Sequence, residues 1–231
     1  MISTSTLTDM SKTIEQLIEG YKSFYTCYFD GSNPLYSQLT QVGQRPKVLV
    51  IACSDSRVDP AIVLKAEPGD LFVVRNVANL VPPYETDGTY HGTSAALEFA
   101  VCHLGVTDII IFGHTQCGGI QALLEGVKIQ EQSTFSFITN WMHMAENASK
   151  ALEKEPASKD IQQKVTVCCQ HAIVNSLENL KTFPWIAERL KKQTLTIHGW
   201  QFDVESGIVS SFDAEEQTFK PMLDEATPAI D

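Results

Sequence analysis

The chain has 231 residues, 43% of them hydrophobic, which is ample for one α/β domain with a full core. Its 28 acidic and 17 basic side chains give a formal net charge of -11, so most of the surface repels phosphate backbones and anionic membranes, and we expect neither as a partner. The first ten residues lack the basic start and apolar stretch of a secretory signal, and no apolar run is long enough to span a bilayer. We therefore expect a cytoplasmic protein.

An amphipathic helix is predicted near the amino end, from Asp9 to about Asp30, because apolar residues recur there at close to helical spacing. Several of these residues are aromatic, which favours a buried contact of substantial area. The helix either forms a dimer with a second copy or covers the sheet of its own chain. We assign residues 1–43 to a helical arm.

Residues 44–213 show the pattern of an α/β domain, in which apolar strands alternate with helices. The predicted strands are Val48–Ala52, Leu71–Arg75, Ile109–Gly113, Leu195–Trp200 and an edge or hairpin strand at Gly207–Asp213. Helical composition is found in Thr93–Leu104, which we expect to be buried on more than one side, and in Phe135–Leu152. The acidic tail, residues 214–231, is expected to be extended or partly disordered.

Metal-binding residues follow two of these strands directly. Cys53 comes after the first apolar run, and His114 and Cys117 come after the run at Ile109–Gly113. Ligands bind at the carboxyl ends of the strands in an open α/β sheet, so the three side chains are expected at one edge of one sheet. Two thiols and an imidazole suit zinc, and three protein ligands with an open position are typical of a catalytic zinc site. The alternative to a zinc site is that Cys53 and Cys117 are ordinary buried thiols and that His114 is a core histidine.

Asp55 and Arg57 lie two residues apart, so in a loop both side chains can point the same way and form an ion pair beside the metal. The pair is either a structural salt bridge or a switch in which free Asp55 becomes a fourth zinc ligand. Three other cysteines lie inside apolar segments of the sequence. Cys102, Cys168 and Cys169 are expected to be small buried hydrophobes.

The residues of the two strand ends resemble those of the β-class carbonic anhydrases. The resemblance covers roughly Gln44 to Asp213. It rests on Cys53-x-Asp55-x-Arg57, His114-x-x-Cys117-Gly118-Gly119, Glu67-Pro68-Gly69-Asp70, Arg75-Asn76-Val77-Ala78-Asn79 and His198-Gly199-Trp200.

Several properties are implied by that resemblance. The fold is a Rossmann-like α/β domain with a mostly parallel sheet flanked by helices, and the smallest active unit is a dimer embraced by amino-terminal helices, with a tetramer or octamer as further assembly. One Zn²⁺ per subunit is held by Cys53, His114 and Cys117, with Asp55 and Arg57 as the catalytic dyad. The expected reaction is the reversible hydration of carbon dioxide to bicarbonate and a proton.

The sequence also favours the plant-like subtype. Gln44 occupies the place of a glutamine that donates a hydrogen bond to bicarbonate or carbon dioxide in that subtype, and Phe72, Val77 and Phe99 match residues that line its apolar pocket. The bicarbonate-inhibited subtype has a tryptophan three residues before the first cysteine, where this chain has Val50. An accessible zinc site is thus expected, rather than one closed by Asp55.

Two other functions stay open at this point. A hydrolase of carbon disulfide or carbonyl sulfide would share the zinc ligands and the dyad. A zinc-bound assembly subunit without turnover is a further alternative, although the intact dyad and Gln44 argue against it.

Overall fold

A computed structural model describes residues 4–31, 33–86, 90–126, 137–152 and 160–223. The chain divides into two compact units, Met1–Gln44 and Arg45–Asp231. The first unit contains helices α1 (Thr4–Phe29) and α2 (Leu35–Val42). The predicted amino-terminal helix is therefore confirmed.

An aromatic cluster joins the two helices of the first unit. The ring of Tyr36 on α2 lies 5.0 to 5.5 Å from the rings of Phe24, Tyr28 and Phe29 on α1. Other apolar side chains of α1 stay exposed, among them Leu17 at 65% and Tyr21 at 63%. An exposed row of large apolar groups is unusual on a protein surface and indicates a contact surface.

The second unit is an α/β domain with a mostly parallel sheet, as predicted, and the sheet has six strands. Its strands are β1 (Val48–Cys53), β2 (Leu71–Asn76), β3 (Asp108–His114), β4 (Thr196–Phe202), β5 (Val209–Asp213) and β6 (Thr218–Pro221). Its helices are α3 (Pro60–Val63), α4 (Gly92–Glu98), α5 (Gly118–Leu124), α6 (Phe137–Met142), α7 (Glu146–Ala151), α8 (Ile161–Leu180) and α9 (Pro184–Lys191).

The strand order is β2-β1-β3-β4-β5-β6, with β2, β1, β3 and β4 parallel and the last two strands antiparallel. Strands β1 and β3 are buried along almost their whole length. This explains their continuous apolar runs, because a central parallel strand is covered on both faces. On one face the core includes Leu49, Ile109 and Ile173, the last of these from α8.

The prediction of an extended or partly disordered tail covers residues 214–231, of which 224–231 lie outside the described residues, and the described part contains an ordered strand. Residues Thr218–Pro221 form β6, which pairs with β5 in the register Asp213↔Thr218. The pairing brings the ring of Phe219 5.3 Å from that of Phe212. A four-residue strand with one aromatic residue carries too weak a pattern to be recognised, although tertiary pairing stabilises it.

Two helical predictions need correction. The predicted helix over Phe135–Leu152 is interrupted in its described part by a 3₁₀ turn at His143–Ala145, which separates α6 from α7. Helix α4 continues as a π-helical turn over Phe99–Leu104, and only one of its sides is buried. The prediction that Cys102 is buried is wrong for the same reason, because its thiol lies on the exposed side.

Candidate active site and metal centre

Three side chains that could hold a metal ion meet at the carboxyl edge of the sheet. Cys53 is the last residue of β1, His114 the last of β3, and Cys117 directly precedes α5. Their donor atoms all lie within 4.8 Å of one another, and the two sulfurs are 4.0 Å apart. Two thiolates on one tetrahedral zinc ion, each with a bond of about 2.3 Å, are separated by about 3.8 Å. The spacing therefore fits zinc.

The imidazole of His114 is prepared for metal binding. Its Nδ1 lies 2.7 Å from the Thr115 carbonyl oxygen, so Nδ1 carries the proton and donates to that oxygen. Its Nε2 is left with a lone pair, and this buried atom has no hydrogen-bond partner among the described residues. An unpaired buried polar atom is costly, whereas a metal bond would satisfy it.

The two thiols lie in an apolar environment. Cys53 and Cys117 belong to a buried cluster that includes Val58, Ile120 and Val165. A hydrogen bond with Cys117, together with burial, raises the pKa of Cys53 to about 12. A hydrogen bond with Cys169, together with burial, raises the pKa of Cys117 to about 11. Without a metal both groups are neutral thiols near pH 7, and a bound cation would favour their deprotonation.

Asp55 and Arg57 form the ion pair that their spacing predicted. Arg57 donates from Nε to Asp55 Oδ1 at 3.0 Å and from Nη2 to Oδ2 at 2.7 Å. This bidentate contact lowers the pKa of Asp55, and the Arg57 backbone N–H adds a further hydrogen bond. Asp55 Oδ2 lies 4.0 Å from His114 Nε2. An ionised carboxylate is thus held beside the metal-binding cluster.

Arg57 also joins the two loops that carry the cluster. Its Nη2 donates to the carbonyl oxygen of Gln116 at 3.1 Å. Gln116 has a φ of 56°, in the left-handed region that non-glycine residues adopt at some cost. This conformation turns the chain between His114 and Cys117, and the bond from Arg57 helps to hold it.

Arg75, which belongs to one of the motifs that carry the resemblance but was given no role there, is a structural partner of the site. From β2 it donates to the Cys53 carbonyl oxygen at 3.0 Å, to the Asp55 carbonyl oxygen at 2.7 Å and to Asp59 Oδ2 at 3.0 Å. These bonds fix the backbone of the first metal-binding loop. A role for Arg75 at the site could have been predicted from its position near the end of β2, which pairs with β1, at the edge where the ligands meet.

The proposed pocket residues are only partly brought together. The rings of Phe72 and Phe99 are 5.9 Å apart, and Phe99 is 43% exposed. Val77 follows β2, and its carbonyl oxygen accepts a hydrogen bond of 2.7 Å from Trp141 Nε1. Gln44 is exposed and closes the first compact unit, so the structure does not place it relative to the metal cluster.

Comparison with known proteins identifies the family. The family model described as Carbonic anhydrase matches residues 48–209. The β carbonic anhydrase 5, chloroplastic, of Arabidopsis thaliana is 44% identical over 160 residues, which cover 69% of this chain and 52% of the relative. The chain belongs to the β-class carbonic anhydrases. It spans about half the length of the Arabidopsis relative.

Further relatives support the membership of the chain in the β-class carbonic anhydrases. A carbonic anhydrase of Synechocystis is 36% identical over 200 residues, covering 87% of this chain and 71% of the relative. The solved structure of the β-carbonic anhydrase CcaA has a TM-score of 0.80 at 33% identity and covers 90% of this chain and 99% of its own. One of two tetrameric β-carbonic anhydrases of Sordaria macrospora has a TM-score of 0.69 at 28% identity, covering 90% of this chain and 98% of its own.

Membership in this family defines the reaction and the cofactor. The enzyme is a carbonate dehydratase, which catalyses the reversible hydration of carbon dioxide and uses zinc. The hydrolysis of carbon disulfide or carbonyl sulfide is not favoured, since the matching relatives are named carbonic anhydrases. No helix in the described ranges is both long and apolar enough to cross a bilayer.

Proposed function

We propose that Cys53, His114 and Cys117 hold the zinc ion and leave one coordination position free for the reaction with carbon dioxide. The observation that carries this proposal is the unpartnered, buried His114 Nε2 beside two sulfurs that are 4.0 Å apart. When bound, zinc supplies a Lewis acid that makes water nucleophilic near neutral pH. The protein's own part is to orient the reactants and to exclude bulk water.

Asp55 and Arg57 act together in this proposal. The bidentate contact with Arg57 keeps Asp55 ionised and turned towards the guanidinium, which disfavours its use as a fourth zinc ligand. Its Oδ2 retains a lone pair and can accept a hydrogen bond from a water molecule or from the hydroxyl of bicarbonate beside the cluster. Asp55 thereby orients the reactant that carries the proton.

Substrate binding is assigned to Phe72, Val77, Phe99 and Gln44, as in the plant-like subtype. Phe99 and Val77 offer apolar surface that is 43% and 36% exposed, which suits a small molecule without net charge. The amide of Gln44 would donate a hydrogen bond to an oxygen of carbon dioxide or bicarbonate.

The assembly is proposed to be a homodimer that associates further into a tetramer. The exposed apolar side chains of α1 support a role of the arm in this contact, and the Sordaria structures are described as tetrameric. Residues 1–43 are the arm in this proposal, and the catalytic domain begins at Gln44, where the first compact unit ends.

The cytoplasm is the proposed location. All six cysteines of the chain are free thiols in the structure, which fits a reducing compartment. A plastid is the alternative, because one relative is described as chloroplastic.

Metal analysis of Cys53→Ser tests the proposed ligand set. The variant should lose the bound zinc, and its hydration rate should fall by more than the ~10–100-fold that loss of an outer contact to a metal ligand causes. Cys102→Ser is the matched control, because that thiol is exposed and lies outside the cluster. Zinc content and activity at the level of the unmodified enzyme in Cys53→Ser would refute the assignment.

A further inference from the structure

The turn that follows β4 reaches the metal-binding loop. Strand β4 is parallel to β3, and Phe202 at its end is the register partner of His114. The residue after His114 continues this contact, because the Thr115 N–H donates to the Phe202 carbonyl oxygen at 2.9 Å. Asp203 therefore lies at the carboxyl edge of the sheet, beside the residue that follows His114.

A network of hydrogen bonds fixes the side chain of Thr115 against this turn. Its hydroxyl donates to Asp203 Oδ1 at 3.0 Å and accepts from the Val204 N–H at 3.1 Å. Asp203 is held in turn by the Glu205 N–H at 3.0 Å and by the Ser206 hydroxyl, which donates to Oδ2 at 2.7 Å. These bonds lower the pKa of Asp203, so the carboxylate is ionised at neutral pH.

Thr115 in turn sets the orientation of His114. The carbonyl oxygen of Thr115 receives the Nδ1–H of the His114 imidazole at 2.7 Å. This bond selects the tautomer with a free Nε2 and fixes the rotation of the ring. The backbone N–H of Thr115 is bonded to the end of β4 and its hydroxyl to the turn, so the residue that bears this carbonyl is held from two sides.

We propose that Asp203 is a positioning residue for His114 and that it acts through Thr115. The inference rests on the proposed function, in which His114 is a zinc ligand. Asp203 does not touch the reactants in this account. Its carboxylate holds Thr115 so that the imidazole is preoriented for the metal, and loss of this contact weakens zinc binding.

Four variants separate positioning from a merely structural role. Thr115→Val removes the hydroxyl at nearly constant volume, and Asp203→Ala removes the carboxylate. Ser206→Ala is the matched control, because it removes a bond to the same carboxylate and leaves the contact with Thr115 in place. Thr115→Ser restores the hydroxyl and should rescue the phenotype.

The measurement is the zinc affinity of the purified full chain, determined by competition with a chromophoric chelator. Thr115→Val and Asp203→Ala should bind zinc about 10–100-fold more weakly, while Ser206→Ala and Thr115→Ser should stay within about threefold of the unmodified chain. Cobalt(II) replaces zinc in a second measurement. The thiolate-to-cobalt absorption bands should shift in the first two variants only, which reports on ligand geometry rather than on overall stability.

Unchanged zinc affinity and cobalt spectrum in a folded Thr115→Val chain would overturn the positioning role, while the proposed ligands would stand. An equal loss of affinity in Ser206→Ala would overturn it as well, because it would show a general effect of the turn. An unmodified chain that binds no zinc would refute the proposed function itself. Thr115→Val decides the question even if Asp203→Ala fails to fold.

Discussion

Substitution of Gly113 by alanine should destabilise the domain at the point where β3 delivers His114. A methyl group on Gly113 would lie 2.7 Å from Ile173 Cδ1 and 2.9 Å from its Cγ1, whereas carbon atoms in ordinary contact are about 3.5–4.0 Å apart. Ile173 is fully buried on α8, so it has little space into which to move. Overpacking of this kind costs about 1–3 kcal/mol, which lowers the melting temperature of a chain of this size by about 2–12 °C.

A double-mutant cycle tests the physical reason. Ile173→Val removes Cδ1, the atom that the new methyl group approaches most closely, at a cost of about 0.5–1.5 kcal/mol on its own. The double variant should therefore be about 1 kcal/mol more stable than the sum of the two single effects predicts. Gly92→Ala is the control, because a methyl group there meets nothing within 4 Å.

Thermal unfolding of the zinc-loaded enzyme, followed by circular dichroism at one fixed protein concentration, measures these differences. A Gly113→Ala variant with the same melting temperature as the unmodified chain would refute the proposed overlap between the new methyl group and Ile173. If the effects of the two single substitutions on stability simply add in the double variant, Ile173 is not the cause of the destabilisation.

Three further predictions concern the site. Arg57→Lys keeps the charge but loses the bidentate contact with Asp55, so kcat/KM should fall by about 10–100-fold with zinc retained; unchanged kcat/KM would contradict the role of the pair. Because the pKa values of Cys53 and Cys117 are raised to about 12 and about 11, zinc uptake near pH 7 should release about two protons, measurable with a pH indicator in weak buffer; uptake without proton release would contradict neutral thiols. Two thiolates reduce the Lewis acidity of zinc, so hydration rates should rise from about pH 6 to 9; a flat profile would count against this.

The central sheet and the metal cluster could be predicted because each depends on a local pattern. Continuous apolar runs occur where a parallel strand is covered on both faces, as in β1 and β3. The carboxyl ends of such strands meet at one edge, so Cys53, His114 and Cys117 had to lie close together once the strands were recognised. The Asp55–Arg57 pair followed from a spacing of two residues in a loop.

Other features depend on how elements pack, which one sequence does not reveal. Cys102 has the apolar surroundings of a core residue in sequence, yet the π-helical turn places it on the exposed side. Cys169 lies in the same buried cluster as Cys117 because α8 packs against α5, and nothing local to either cysteine indicates that proximity. Asp203 could have been noticed, since it directly follows a parallel strand at the same edge of the sheet as His114 and Cys53.

Stopped-flow measurement of carbon dioxide hydration before and after zinc chelation tests the central claim most directly. The purified chain should contain about one zinc ion per subunit, lose its activity when the metal is removed and recover it when zinc is added back. Hydration at the full rate by a chain shown to be free of metal would contradict a zinc-dependent reaction at Cys53, His114 and Cys117.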